Sequence, residues 1–296
     1  MPPDPLLLAR ESLLAYAIAQ YDQYRASWHH RKTAAALEAV AAGEITRLII
    51  QEPPRHGKSM LTSDIFPAWY LGKYPDKQII FSTYSQDFSD DWGAKVRDRL
   101  NSPIHTAVFP NSRLKDDSQS KSKLGLTAGG FYFAVGIGGP TTGRGADIFL
   151  IDDPIKNREQ ADSEIERKAL KDWYTSTAYT RLMKGGAIII IQTRWHSDDL
   201  AGWLQREHAH ENWTVIDFPA LDRETETKAL WPEQYPVERL SEIRKTLGPR
   251  DWSALYMQQP TSSGGGEFKR EWLCHYDKLP MNVVSNSNIL TPLMYE

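Results

Sequence analysis

The chain has 296 residues, 41% of them hydrophobic and 25% charged, which is enough apolar material for one large globular domain or two smaller ones. Its formal net charge of -3 excludes a strong overall attraction to nucleic acid, although a local basic face would be enough to bind DNA. The single cysteine excludes an intrachain disulfide framework, and no apolar run is long enough to cross a membrane, so the sequence predicts a cytoplasmic protein without a membrane partner.

Short apolar strands are expected to alternate with longer helices along the chain. The predicted helices lie at residues 6–24, 28–40, 58–71, 88–100 and 163–173. The predicted strands lie at residues 48–51, 78–83, 147–152, 188–193 and 213–218, with a Gly-rich hairpin at 124–139 and a polar loop at 115–123. This alternation predicts an α/β fold with a mainly parallel β-sheet sandwiched between helices.

A Gly-Lys-Ser motif follows directly on the first predicted strand. The predicted phosphate cradle comprises Pro54, Arg55, His56, Gly57, Lys58 and Ser59. A strand, a tight loop and a helix in this order form the context in which such a motif binds a nucleoside triphosphate, with the lysine on the β- and γ-phosphates and the serine hydroxyl on Mg²⁺. The usual pattern has glycine five positions before Gly57, where this chain has Glu52, so an ordinary turn is the alternative reading of the motif alone.

Polar residues also follow two other predicted strands. Asp152 and Asp153 close the strand at 147–152, and Thr193 closes the strand at 188–193. Because parallel sheets bind ligands at the carboxyl ends of their strands, we expect these residues to meet the Gly-Lys-Ser loop in one site. Asp152 would hold Mg²⁺, Asp153 would orient the attacking water, and Thr193 would sense the γ-phosphate or the water. Without the loop, the two aspartates would indicate only a turn before Pro154.

Two arginines are candidates for stabilising the charge that develops during phosphoryl transfer. Arg144 lies between glycines just before the strand at 147–152, and an arginine in such a loop often serves the site of a neighbouring subunit. Arg55 lies within the phosphate loop and could act on its own site. The alternative for Arg144 is a surface arginine in a glycine turn, and His56 is interpreted as a spacer of the loop.

Several of these stretches, taken in order, resemble the large terminase subunit of tailed bacteriophages. They are residues 47–59 with the Gly-Lys-Ser motif, 142–147 (Thr-Gly-Arg-Gly-Ala-Asp), 150–154 (Leu-Ile-Asp-Asp-Pro), 193–196 (Thr-Arg-Trp-His) and 255–260 (Leu-Tyr-Met-Gln-Gln-Pro). The resemblance implies an ATPase domain with a RecA-type sheet, followed in the family by a nuclease. It also implies a motor that uses ATP and Mg²⁺ to pump double-stranded DNA into a procapsid.

The resemblance further implies partners and residue roles. The family works as a homo-oligomeric ring at the portal protein of the procapsid, with a small terminase subunit that selects the DNA, in the cytoplasm of the bacterial host. Carried over by motif, Lys58 and Ser59 are the Walker A residues, and Asp152 is the Walker B acid. Asp153 takes the position of the catalytic acid, where most comparable ATPases have glutamate, and Thr193 matches the coupling motif.

The two arginines carry over differently. Arg144 resembles the arginine that precedes the Walker B strand in the family. Arg55 lies one position nearer to Gly57 than the loop arginine of many relatives, so its match is less direct.

The sequence predicts three regions. They are an N-terminal helical segment at 1–45, a P-loop ATPase domain at 46–260 with a small lid at about 220–258, and a linker with the truncated start of a nuclease domain at 261–296. Because residues 261–296 lack a cluster of carboxylates for two metal ions, endonuclease activity is not expected. Two alternatives remain: a prophage remnant that binds nucleotide or partners without turnover, and another nucleic-acid-dependent P-loop ATPase such as a helicase.

Overall fold

The computed structural model describes residues 4–141 and 143–260. The predicted linker and nuclease segment, at 261–296, lies outside these residues. The helices are α1 (Pro5–Glu11), α2 (Leu13–Gln20), α3 (Trp28–Ala41), α4 (Phe66–Lys73), α5 (Gln86–Leu100), α6 (Pro103–Val108), α7 (Arg158–Asp162), α8 (Glu164–Trp173), α9 (Leu200–Glu207) and α10 (Val237–Asp251). The strands are β1 (Arg47–Gln51), β2 (Gln78–Thr83), β3 (Leu114–Ser120), β4 (Lys123–Leu126), β5 (Phe131–Gly136), β6 (Ala146–Asp152), β7 (Leu182–Gln192) and β8 (Thr214–Asp217).

Within the described residues, the eight strands form one sheet with the order β3-β4-β5-β2-β6-β7-β1-β8. From β5 to β8 in this order, every neighbouring pair is parallel. Only β3 and β4 add antiparallel pairs, at one edge. The prediction of a mainly parallel sheet is therefore confirmed.

The central strands are buried on both faces, because alternate residues point to opposite sides of a strand. Leu48 and Ile50 of β1 belong to a large core that includes residues of α1 to α6. Ile49 of the same strand belongs to a second core, which it shares with residues of α7, α8 and α9. Helices thus cover both faces, as the strand pattern predicts.

Two predicted elements are corrected by the structure. The polar stretch at 115–123 is not a loop, since most of it forms edge strand β3 and its turn to β4. The helix at 6–24 is broken at Ser12, whose hydroxyl accepts a hydrogen bond from the Ala15 N–H at 3.4 Å and so starts α2. The predicted hairpin at 124–139 corresponds to the antiparallel pair β4 and β5.

The predicted regions can be compared with the packing, although their boundaries stay a prediction. Helices α1 to α3 share the large core with β1, through residues such as Leu13 and Leu37. Residues 220–257 contribute a separate small cluster around Leu240 and Trp252. Across the described residues, every helix is too short or too polar to cross a membrane.

Candidate functional site

The strand register brings most of the predicted site residues together at the carboxyl ends of neighbouring strands. Gln51, the last residue of β1, pairs with Gln192, the last residue of β7. On the other side of β7, Asp152 at the end of β6 pairs with Ile191. Three neighbouring parallel strands therefore end together, and the Gly-Lys-Ser loop, the two aspartates and Thr193 all follow these ends.

The loop backbone requires glycine at one position. Gly57 has a φ of 101°, which side-chain-bearing residues rarely adopt. A Cβ atom at this position would lie 2.4 Å from Nε2 of His30, so the space is closed as well. Arg55 also has a positive φ, 63°, and its side chain is exposed.

Asp152 is buried and accepts hydrogen bonds from two serines. The Ser59 hydroxyl donates to Oδ1 at 3.2 Å and the Ser63 hydroxyl donates to Oδ2 at 2.7 Å. Burial, followed by the nearby Asp153 carboxylate, raises the pKa of Asp152 to about 7, although Lys58 opposes this shift. A serine hydroxyl beside a carboxylate is a hard oxygen donor set, which fits Mg²⁺.

Lys58 and Asp153 form a salt bridge beside this pair, with 3.0 Å between Nζ and Oδ2. Burial disfavours the charged ammonium, but the adjacent Asp153 and Asp152 outweigh burial and raise the pKa of Lys58. The other oxygen of Asp153 accepts the backbone N–H of Thr193 at 3.0 Å, while the Thr193 hydroxyl donates to the Glu52 carbonyl at 3.2 Å. Asp153 thus joins the ends of β6 and β7 to the loop lysine.

Glu52, which occupies the place of the expected glycine, lies inside the loop. Its side chain is buried, and burial raises its pKa to about 8 even though the Lys58 charge and the Lys58 backbone N–H oppose the shift. Its Oε1 has no hydrogen-bond partner among the described residues. A neutral carboxyl is therefore the form that this loop favours at neutral pH.

The Gly-Lys-Ser loop, Asp153 and Thr193 border an open cleft of about 620 Å³. The predicted site residues that line it are Pro54, Arg55, Gly57, Lys58, Ser59, Asp153 and Thr193. The cleft is also lined by Phe88, Trp92 and Lys95 of α5. The cleft thus contains the loop, an acid and a basic surface, which is the environment that a phosphate chain requires.

Three predicted site residues do not line this cleft: Asp152 and His56, which are buried, and Arg144, which lies elsewhere. Arg144 precedes β6, whereas Asp152 ends that strand, and six residue steps separate these two ends by roughly 20 Å. Its guanidinium lies 3.9 Å from the centre of the Phe133 ring. Arg144 therefore cannot reach the cleft of its own chain.

Several contributors were not predicted from the sequence. Ser63 lies four residues after Ser59, and this helical spacing could have indicated that both face the same carboxylate. His29 and His30 approach the loop from behind, with Nε2 atoms 3.1 Å and 2.9 Å from the His56 carbonyl oxygen. His56 itself faces away from solvent and stacks on Tyr235, with 4.4 Å between ring centres.

Comparison with known proteins agrees with the fold. The crystal structure of the HK97 bacteriophage large terminase is similar, with a TM-score of 0.54 at 16% identity over 80% of this chain and 51% of that chain. The Thermus phage P74-26 large terminase ATPase domain has a TM-score of 0.53 at 13% identity over 81% of this chain and 95% of that one. These similarities show the fold, which is that of a RecA-like P-loop ATPase domain, and this chain spans about half of the HK97 protein.

The family follows from the sequence match. A family model described as terminase large subunit, T4likevirus-type, N-terminal, matches residues 49–274, which is more than half of the chain. The chain therefore belongs to this family of large terminase subunits. A search of curated proteins finds no match.

Proposed function

We propose that this chain is the ATPase part of a bacteriophage DNA-packaging motor and couples ATP hydrolysis to the movement of double-stranded DNA into a procapsid. Family membership supports the motor, and the meeting of Lys58, Ser59 and Asp152 at one edge of the sheet supports the hydrolysis site. That meeting is the single observation on which the proposal depends most.

Each site residue has a role in this proposal. The Walker A residues are Lys58, which binds the β- and γ-phosphates, and Ser59, which shares Mg²⁺ with the Walker B residue Asp152. When bound, Mg²⁺ neutralises charge on the phosphate oxygens. The remaining cradle is formed by the backbone N–H groups of Arg55, His56 and Gly57, while Pro54, which has no N–H, lines the entrance to the loop.

Asp153 and Thr193 complete the catalytic set. Asp153 orients the attacking water. In the structure Asp153 forms a salt bridge with Lys58, and bound phosphates would replace Asp153 as the partner of Lys58. Thr193 couples Asp153 to the start of the phosphate loop. Its backbone N–H donates to Asp153 and its hydroxyl donates to the Glu52 carbonyl.

The two arginines lie at opposite ends of the parallel strands. Arg55 lines the cleft and can act on its own site, whereas Arg144 lies at the other end of β6 and serves the site of a neighbouring subunit in a ring. Further proposed partners are the small terminase subunit and the portal protein, with action in the host cytoplasm and transiently at the portal vertex.

ATP hydrolysis by the full chain, assayed with DNA, small subunit and procapsids present, tests the proposal. We expect Mg²⁺-dependent release of phosphate from the wild type and a loss of at least tenfold in the rate for Lys58→Ala, because one charged phosphate contact contributes about 1.5–3 kcal/mol. Lys168→Ala, which removes an exposed lysine on α8, is the matched control and should keep the wild-type rate. An equal rate for Lys58→Ala and Lys168→Ala would refute the catalytic assignment.

The same assay separates the alternative of a remnant that binds nucleotide without turnover. That alternative predicts nucleotide binding with no phosphate release above the Lys58→Ala background, even with DNA, small subunit and procapsids present.

A further inference from the structure

We infer that His30, together with His29, is a positioning residue that aims the backbone of the phosphate loop into the cleft. The inference rests on the proposed nucleotide site and adds to it a support that lies outside the loop motif. Both histidines are buried, at 0% and 3% exposure for His29 and His30, and both contact the same loop atom.

That atom is the carbonyl oxygen of His56. A carbonyl oxygen only accepts hydrogen bonds, so both imidazole rings must donate to it from Nε2. The distances are 3.1 Å for His29 and 2.9 Å for His30. Two buried donors, neither of which lines the cleft, therefore hold one peptide group of the loop.

Anchoring this carbonyl determines the direction of the next N–H. In a trans peptide the C=O of one residue and the N–H of the next lie in one plane and point in opposite directions. When the two histidines draw the His56 carbonyl into the protein, the Gly57 N–H is turned outward, towards the cleft that Gly57 lines. Backbone N–H groups in this orientation are those that bind phosphate oxygens.

The local sequence fixes the tautomer of His30 for this task. Ser27 is the N-cap of α3, and its backbone N–H donates to Nδ1 of His30 at 3.0 Å. Since Nδ1 accepts this bond, the proton of the neutral ring resides on Nε2 and is directed to the His56 carbonyl. Burial, followed by the nearby His29, lowers the pKa of His30 to about 4, so the ring stays neutral at physiological pH.

The fit around Gly57 makes the contact specific. Nε2 of His30 lies 2.4 Å from the position that a Cβ atom of residue 57 would take, so the ring packs directly against the glycine. Trp231 closes the other side of the ring, with 4.8 Å between ring centres and perpendicular planes. The ring is thus held in one place by contacts from α3, from the loop and from residue 231.

The test compares nucleotide affinity among variants of the full chain, with MgADP as the probe in titration calorimetry. We expect His30→Leu to raise the Kd about fivefold, because one of two hydrogen bonds that hold the carbonyl is lost. His30→Gln, which retains an N–H donor of similar reach, should stay within about twofold of the wild type.

His105 offers a matched control for the loss of a buried histidine. It is 0% exposed and bonds to Tyr16 and Ser112, away from the loop. We expect His105→Leu to lower the melting temperature without a change in Kd for MgADP beyond about twofold. Equal affinities for His30→Leu and wild type, or equal weakening by His105→Leu and His30→Leu, would overturn the inference.

The wild type supplies a second measurement in case His30→Leu does not fold. Nitrogen chemical shifts of the histidine rings should show the Nε2-protonated neutral tautomer for His30 at pH 7, and the Gly57 amide resonance should move when MgADP binds. An Nδ1-protonated His30 would overturn the inference. If the wild type does not bind MgADP, the proposed function fails, whereas binding that is insensitive to His30 contradicts the positioning role alone.

Discussion

At the scale of single residues, the carboxylate of Asp152 depends on two hydroxyl donors. Ser59 contacts one oxygen and Ser63 the other, and both bonds reach a group with 1% exposure. A buried carboxylate that loses a donor keeps its desolvation cost without compensation. Ser63 therefore stabilises the folded protein as well as the proposed metal ligand.

We expect Ser63→Ala to lower the free energy of unfolding by about 1–3 kcal/mol, measured by urea denaturation, since it leaves Oδ2 of Asp152 without its donor. Ser89→Ala is the matched control, because Ser89 is equally buried but donates only to the Ser85 carbonyl in α5, at 3.0 Å. A cost for Ser89→Ala as large as that for Ser63→Ala would contradict this reading of the Asp152 site.

Buried histidines should make stability depend on pH. Burial lowers the pKa of His105 to about 4, below its ordinary value of 6.5. The unfolded chain therefore takes up a proton first, and the free energy of unfolding falls as the pH drops from about 6.5 towards 4, with no effect above 6.5. Between pH 7 and pH 5 the loss is about 2 kcal/mol for one such histidine.

Urea denaturation at pH 7 and pH 5 measures this effect. His105→Gln should lose less stability than the wild type over the same interval, because glutamine does not titrate. The same pH dependence in His105→Gln and in the wild type would show that this histidine is not the group responsible.

At the scale of elements, the phosphate loop is supported by residues from distant parts of the chain. The loop begins at the end of β1, is contacted from behind by α3, and stacks through His56 on Tyr235 near the start of α10. The glycine at its centre is therefore restricted both by its own backbone and by its neighbours.

Two glycines with nearly equal φ angles allow the effect of backbone strain to be measured separately from the effect of contact with neighbours. Gly57 and Gly129 have φ values of 101° and 104°, but a Cβ atom would collide with His30 at the first position and would have no neighbour within 4 Å at the second. We expect Gly129→Ala to cost about 1–2 kcal/mol in the free energy of unfolding, from backbone strain alone.

Gly57→Ala should cost more than Gly129→Ala by at least about 1 kcal/mol, because overpacking against His30 adds to the strain. It should also weaken MgADP binding, whereas Gly129→Ala should not. Equal unfolding free energies for the two variants would indicate that the His30 contact is loose.

The sequence predicted elements well where their pattern is periodic or apolar. Strand β2 matches its predicted bounds, β6 differs by one residue at its start, and β8 is one residue shorter than predicted at each end. Strand β3 was missed because its residues, Leu-Lys-Asp-Asp-Ser-Gln-Ser, are polar, as an exposed edge strand permits. The role of His29 and His30 was also missed, since it depends on a contact about 26 residues along the chain that no local pattern encodes.

The grouping of the proposed site residues could be predicted because most of them follow strand ends. Parallel strands place their carboxyl ends at one edge, so Lys58, Asp152 and Thr193 could be brought together from strand assignments alone. The bond between Asp153 and Lys58, and the use of the Thr193 hydroxyl by Glu52, could not be predicted, because they depend on side-chain directions inside the folded site.

At the scale of the whole molecule, the proposed site lies at the carboxyl ends of the parallel strands, whereas Arg144 lies near the amino end of β6. In the proposed head-to-tail ring, the surface that carries Arg144 would lie against the site of the next subunit. In such a ring each active site is completed by a neighbour, and this arrangement makes a prediction that a monomer does not share.

Mixing two inactive variants tests it. Lys58→Ala and Arg144→Ala rings should each hydrolyse little ATP, but mixed rings should recover activity at about a quarter of their sites, where an intact Lys58 meets an intact Arg144. No recovery, with both proteins assembled and the Arg144→Ala subunit still binding nucleotide, would show that Arg144 does not act across the interface.

The most direct measurement is the affinity for ADP by titration calorimetry, with Mg²⁺ and with EDTA, in the wild type, Lys58→Ala and Asp152→Asn. The account predicts that Mg²⁺ tightens binding to the wild type, that Asp152→Asn loses this gain, and that Lys58→Ala weakens binding at least tenfold in both conditions. Wild-type affinity in Lys58→Ala, or a full Mg²⁺ effect in Asp152→Asn, would contradict it.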